Sequence, residues 1–83
     1  MILEDRHIEY LTHVSEKRIT VRDGKYHLTN WVDGFLLLEQ SIAIRVELLG
    51  MTHIIYDRAK KCNIVALTAV GLLVLQEEFE AWG

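Results

Sequence analysis

The sequence predicts a single α+β domain, mainly helical, in which an N-terminal segment and one β-hairpin are followed by three helices, the whole being oligomeric. Three observations carry this expectation. An Asp-Gly pair flanked by alternating β-branched and aromatic residues sits at positions 23–24, apolar residues recur at spacings of three and four from residue 31 onward, and 51% of only 83 residues are hydrophobic. A chain of this length buries only about 60–65% of its extended surface on folding, so the apolar surplus requires a further surface, most simply a second copy. No linker, repeat or low-complexity stretch divides residues 1–83, which read as one unit. High apolar content excludes disorder, five glycines and no proline exclude a collagen-like fibre, and one cysteine excludes an internal disulfide.

Residues 7–14 fit two patterns. Ile8, Tyr10, Thr12 and Val14 alternate as in a strand, whereas Leu3, His7, Tyr10, Leu11 and Val14 share one helical face. Glu4 and Asp5 suit a helix N-terminus and tip the expectation toward a short helix. Residues 19–28 then form the hairpin, because Asp23-Gly24 tolerates the positive φ angles of a type I′ turn. Placing Arg22 opposite Lys25 sets Val21 against Tyr26 and Ile19 against Leu28 on one apolar face; Arg18, Thr20, Arg22, Lys25 and His27 make a basic, solvated face on the other.

Thr29 and Asn30 can cap a helix over 31–49, with Asp33 in its first turn. Its stripe runs through Trp31, Phe35, Leu38, Ile42, Val46 and Leu49, widened by Val32, Leu36, Leu37, Ile44 and Leu48, so it must be covered on most sides. Gly50 is its natural stop. Thr52 can cap a second helix to about residue 62, with Ile55, Ala59 and Cys62 inward. A third, over 64–82, carries Val65, Thr68, Leu72, Leu75, Phe79 and Trp82 in a heptad rhythm, and is the expected dimer seam. Ala66, Ala69 and Gly71 offer it low relief for close approach, and Trp82 closes the core or the dimer at its end.

The net charge is -3, but four bases (Arg45, Arg58, Lys60, Lys61) oppose two acids (Glu47, Asp57) between residues 45 and 61. Such a local excess argues against a protein that coats nucleic acid. The same stretch, Val46-Glu-Leu-Leu-Gly-Met-Thr-His-Ile-Ile-Tyr-Asp-Arg-Ala-Lys-Lys61, resembles the helix-turn-helix of bacterial regulators over about residues 42–61. The resemblance implies Gly50 as turn glycine, Met51 as its buried neighbour and Thr52 as cap. It also implies His53, Ile54 and Arg58 facing bases or phosphates and Lys60 and Lys61 on the DNA backbone, with Arg22 and Lys25 of the hairpin joining that surface. Val46 and Tyr56 depart from the motif's small and compact aliphatic positions. The alternative is a stop-and-restart between two core helices, with Arg58, Lys60 and Lys61 as a solvated helix end.

His7, His13, His27, His53 and Cys62 show no metal-ligand spacing, so no metal is expected. The sequence shows no glycine-rich phosphate loop, no nucleophile elbow and no paired acids in a plausible cleft, and reads as a non-enzyme with no cofactor. Met-Ile-Leu-Glu-Asp-Arg at the start is unlike a secretory signal, and the longest apolar run, 64–75, is too short to cross a bilayer, so a cytoplasmic protein without membrane attachment is expected. Two functions follow: a small dimeric regulator contacting DNA through Thr52, His53, Arg58, Lys60 and Lys61, or a protein-interaction module, such as an adaptor, inhibitor or immunity-type partner, with no nucleic-acid role.

Overall fold

The computed structural model describes the backbone of residues 3–30, 34–37 and 39–82, and side chains at 3–29 and 39–78. The order of elements is α1 (Asp5–Ser15), β1 (Ile19–Arg22), β2 (Lys25–Asn30), β3 (Gly34–Leu37), α2 (Gln40–Leu48), β4 (Thr52–Asp57), β5 (Cys62–Leu67) and α3 (Ala69–Trp82). The strands form one antiparallel sheet in the order β3-β2-β1-β5-β4. The fold is therefore α+β but not mainly helical, and three strands stand where helices were expected.

The corrections have local causes. The expected helix over 31–49 is a strand at Gly34–Leu37 and then a nine-residue helix, and β3 pairs Leu28 with Leu36 and Asn30 with Gly34. Thr29 and Asn30 extend β2 instead of capping a helix, while Trp31, Val32, Asp33 and Leu38 lie outside the described residues. The expected helix over 52–62 is β4, since Thr-His-Ile-Ile-Tyr is rich in the β-branched and aromatic residues that fit a pleated surface. The expected helix over 64–82 begins as β5 and becomes helical only at Ala69. Between them, Asp57 Oδ1 accepts from the backbone N–H groups of Ala59 (2.9 Å) and Lys60 (3.1 Å), and Lys61 takes φ 55°, which closes a β4–β5 hairpin.

The β1–β2 hairpin pairs Ile19 with Leu28, Val21 with Tyr26 and Arg22 with Lys25, around Asp23 (φ 52°) and Gly24 (φ 73°). Residues 7–14 belong to α1, whose buried face is His7, Tyr10, Leu11 and Val14. Both α1 and α2 end in the same way. Arg18 N–H donates to His13 O and Lys17 N–H to Val14 O, just as Met51 N–H donates to Val46 O and Gly50 N–H to Glu47 O. Each motif needs one left-handed residue, Gly50 (φ 77°) in the second and Lys17 (φ 60°) in the first.

All three helices pack on one face of the sheet. The core there joins Tyr10, Leu11 and Val14 of α1, Ala43 and Val46 of α2 and Leu75 of α3 to Ile19, Tyr26, Val65 and Met51. Gln40, the first residue of α2, completes the sheet where β3 stops: its Oε1 accepts from Tyr26 N–H (2.8 Å) and its Nε2 donates to Tyr26 O (2.9 Å). The amide thus does for Tyr26 what a further β3 peptide would do. On the opposite face Thr20 and Ile64, paired in the β1–β5 ladder, are each 3% exposed, so that face is not wholly solvated as expected.

Candidate interaction edge

The outermost strand on one side, β4, is also the most exposed to water of the strands whose side chains are described. Its register with β5 runs without a break from Thr52↔Leu67 to Asp57↔Cys62, with no bulge, and no strand lies beyond it among the described residues. Directly paired residues share a face. Ile54 lies with Val65 on the helix-bearing face, and Thr52 and Tyr56 follow it by alternation; His53, Ile55 and Asp57 point the other way. Thr52 is buried, but Ile54 is 42%, Ile55 40% and Tyr56 60% exposed. Apolar side chains therefore stand open on both sides of a strand whose outer backbone groups meet no partner strand.

Proteins usually blunt such an edge with a lysine, a proline, a bulge or a covering helix. Residues 52–57 contain none of these devices. Beside the edge, Tyr56, Leu67, Val14 and Leu72 help to line a hollow of about 460 Å³, and Leu72, Leu73 and Val70 of α3 are themselves exposed. A second exposed strip, Ile44 and Leu48 of α2, borders an open hollow of about 670 Å³ between α1 and α2.

The residues expected to contact nucleic acid are placed differently from a helix-turn-helix. α2 is followed by a strand, so the second helix of that motif is missing; Thr52 is buried in β4 and His53 is exposed on it. Arg58, Lys60 and Lys61 occupy the β4–β5 turn, and Arg22 and Lys25 flank the β1–β2 turn. Because β1 pairs antiparallel with β5, both turns lie at the same end of the sheet, where Arg22, Lys60 and Lys61 border one shallow hollow of about 540 Å³. Lys60 Nζ donates to the Lys17 carbonyl (2.7 Å).

The expected helical seam does not exist as one face. Val65 (1% exposed) is in β5 and Leu75 (3%) is in the core. Thr68 caps α3, its Oγ1 accepting from Gly71 N–H (3.2 Å) while its hydroxyl donates to Gly50 O. Of the six, Leu72 is left exposed, and the side chains of Phe79 and Trp82 lie outside the described residues. Cys62, expected on an inner helical stripe, is half-buried at the start of β5 opposite Asp57.

Inside the molecule, Tyr26 donates its hydroxyl to Glu47 Oε2 (2.9 Å), tying β2 to α2. Burial first, then this bond and the nearby charge, push the Tyr26 phenol upward from 10.0. Burial also raises that of Tyr10, with Tyr26 and Glu47 adding to it. Both phenols stay neutral at ordinary pH, so the group is a structural tie. No group of three His, Cys, Asp or Glu able to hold a metal is present among the described residues. Nor is any described helix long and apolar enough to cross a membrane.

A signal for the edge was present in the sequence. Thr52-His-Ile-Ile-Tyr and Asn63-Ile-Val flank Asp57-Arg-Ala-Lys-Lys, a strand-turn-strand pattern that the three-and-four spacing of the neighbouring apolar residues masks. Compared with protein-family models, with curated proteins and with solved structures, the chain matches none of them.

Proposed function

We propose that this chain is a protein-interaction module that takes its partner by strand addition at β4. The observation that carries the reading is the open outer side of β4, regular over six residues and bearing exposed Ile54, Ile55 and Tyr56. Strand addition draws affinity from main-chain hydrogen bonds and selectivity from alternate side chains, and an edge of this kind supplies both. Replacing Ile55 with lysine tests it, since a charged residue on an edge is a standard barrier to pairing. Ile55 is far enough from the core for the variant to fold, so its circular dichroism should match that of the wild type while assembly and partner capture are lost. Retention of every associated chain by the Ile55→Lys protein refutes the reading.

A second reading, nucleic-acid contact, is favoured by the gathering of Arg22, Lys25, Arg58, Lys60 and Lys61 at one end of the sheet. Phosphate contacts make such binding fall steeply with salt. Duplex binding that weakens with salt and disappears in a Lys60→Glu/Lys61→Glu protein supports this reading; duplex binding absent at low salt removes it.

A further inference from the structure

We infer that the partner at β4 is a second copy of this chain, paired antiparallel about a two-fold axis that passes through Ile55. The inference rests on the strand-addition reading and adds the identity of the partner and the register. A two-fold axis normal to the sheet keeps each copy's helix-bearing face on the same side. Residues directly opposite one another must then point to the same face, so the axis has to pass through a residue and not between two.

Among the possible centres, Ile55 makes the strand self-complementary. It places Ile54 opposite the partner's Tyr56 and Tyr56 opposite the partner's Ile54, both on the helix-bearing face. On the other face it places His53 opposite the partner's Asp57, Asp57 opposite the partner's His53, and Ile55 opposite the partner's Ile55. Aromatic with β-branched and base with acid are the favourable cross-strand classes, and no like charges meet. Every residue from His53 to Asp57 is matched. Centring on Ile54 instead sets His53 against the partner's Ile55 and Asp57 against the partner's Met51, beyond the end of the strand. Centring on Tyr56 sets Ile55 against the partner's Asp57 and Ile54 against the partner's Arg58.

The exposure pattern fits the same arrangement. Ile54, Ile55 and Tyr56, the three exposed large apolar side chains of β4, are the three residues nearest the axis. A stable interface covers about 800 Å² per partner, more than a short edge offers alone. The remainder is available on the helix side, where Tyr56 and the 48%-exposed Leu72 border one hollow and face the same side as the partner's helices. The antiparallel join also sends the basic turns of the two copies to opposite ends of the joined sheet.

The test is disulfide trapping with sedimentation of the full chain, in a Cys62→Ser background so that the native thiol does not compete. Residues directly opposed in antiparallel strands have Cα atoms about 4.5–5.5 Å apart, within disulfide reach. Ile55→Cys should oxidise to a covalent dimer, whereas Ile54→Cys, facing the partner's Tyr56, should not. In sedimentation equilibrium His53→Asp, which sets acid against the partner's Asp57, should weaken the dimer at least several-fold, whereas the uncharged His53→Asn should weaken it less. A dimer linked by Ile54→Cys, or a dimer that neither cysteine links, overturns the inference, as does wild-type protein that stays monomeric. The broader reading is judged separately. A monomer whose bound protein is lost on Ile55→Lys retains strand addition with a different partner, while an association indifferent to Ile55→Lys removes both.

Discussion

Replacing Gly71 with alanine should destabilise this protein, although helix propensity alone gives the opposite sign. Gly71 lies in the first turn of α3, where alanine would favour the helix by at most about 1 kcal/mol. A methyl group built there meets the α2–β4 connection: it falls far inside contact with the Met51 carbonyl oxygen, 2.9 Å from the Met51 carbonyl carbon and 3.2 Å from Leu67 Cδ2. The obstacle is backbone, and it is held. Met51 O accepts from Thr68 N–H at 3.0 Å, Met51 N–H donates to Val46 O, and the Met51 side chain is fully buried. Relief requires α3 to move off the connection or that hydrogen bond to open. Overpacking of this kind costs about 1–3 kcal/mol, and a clash with fixed backbone belongs at the upper end. Set against the propensity gain, the net loss is about 2 kcal/mol. For a domain of this size that lowers Tm by roughly 8–16 °C. Thermal melts followed by circular dichroism, with urea unfolding to give the free energy directly, measure it. A Gly71→Ala protein as stable as the wild type, or more so, would show that the connection does not sit against α3 and would refute the packing argument.

Three further outcomes follow from the same structure. Lys17→Gly should stabilise the protein by about 1 kcal/mol in urea unfolding, because Lys17 holds a left-handed conformation that glycine adopts without strain; no gain would mean the α1 end is built differently. The contribution of Tyr10 and Tyr26 to stability should be constant below about pH 10 and lost above it, since their phenols are raised above the unfolded value of 10.0. The sign is fixed by the order of ionisation: unfolded chains lose these protons first as pH rises, which favours unfolding. Tyr10→Phe should make the decline in urea midpoint shallower, and its neutral-pH stability should stay within about 1 kcal/mol because the Tyr10 hydroxyl has no hydrogen-bond partner among the described residues.

The features legible from sequence are those set by a few neighbouring dihedrals. Asp23-Gly24 specifies a turn that permits a single two-residue hairpin, and the alternation around it sets the register to Ile19↔Leu28. Gly50 marks a helix end because a left-handed residue is needed there, and the face His7, Tyr10, Leu11 and Val14 is a helical stripe of ordinary kind. Beyond residue 30 the chain is so densely apolar that helical and strand periodicities both find matches, and local pattern loses its power to choose. Thr52–Asp57 and Cys62–Leu67 become strands because they pair with each other and because β1 offers Thr20 and Val21 as partners for Ile64 and Asn63. The β1–β5 ladder joins residues far apart in sequence. The apolar surplus of 83 residues was likewise visible at once, but not its location: Val65 and Leu75, members of the expected helical seam, are inside the core, while Ile54, Ile55 and Tyr56 stand on the open edge. Which apolar residues remain for a partner depends on which the monomer itself can cover, and coverage is a property of packed elements and not of any stretch of chain.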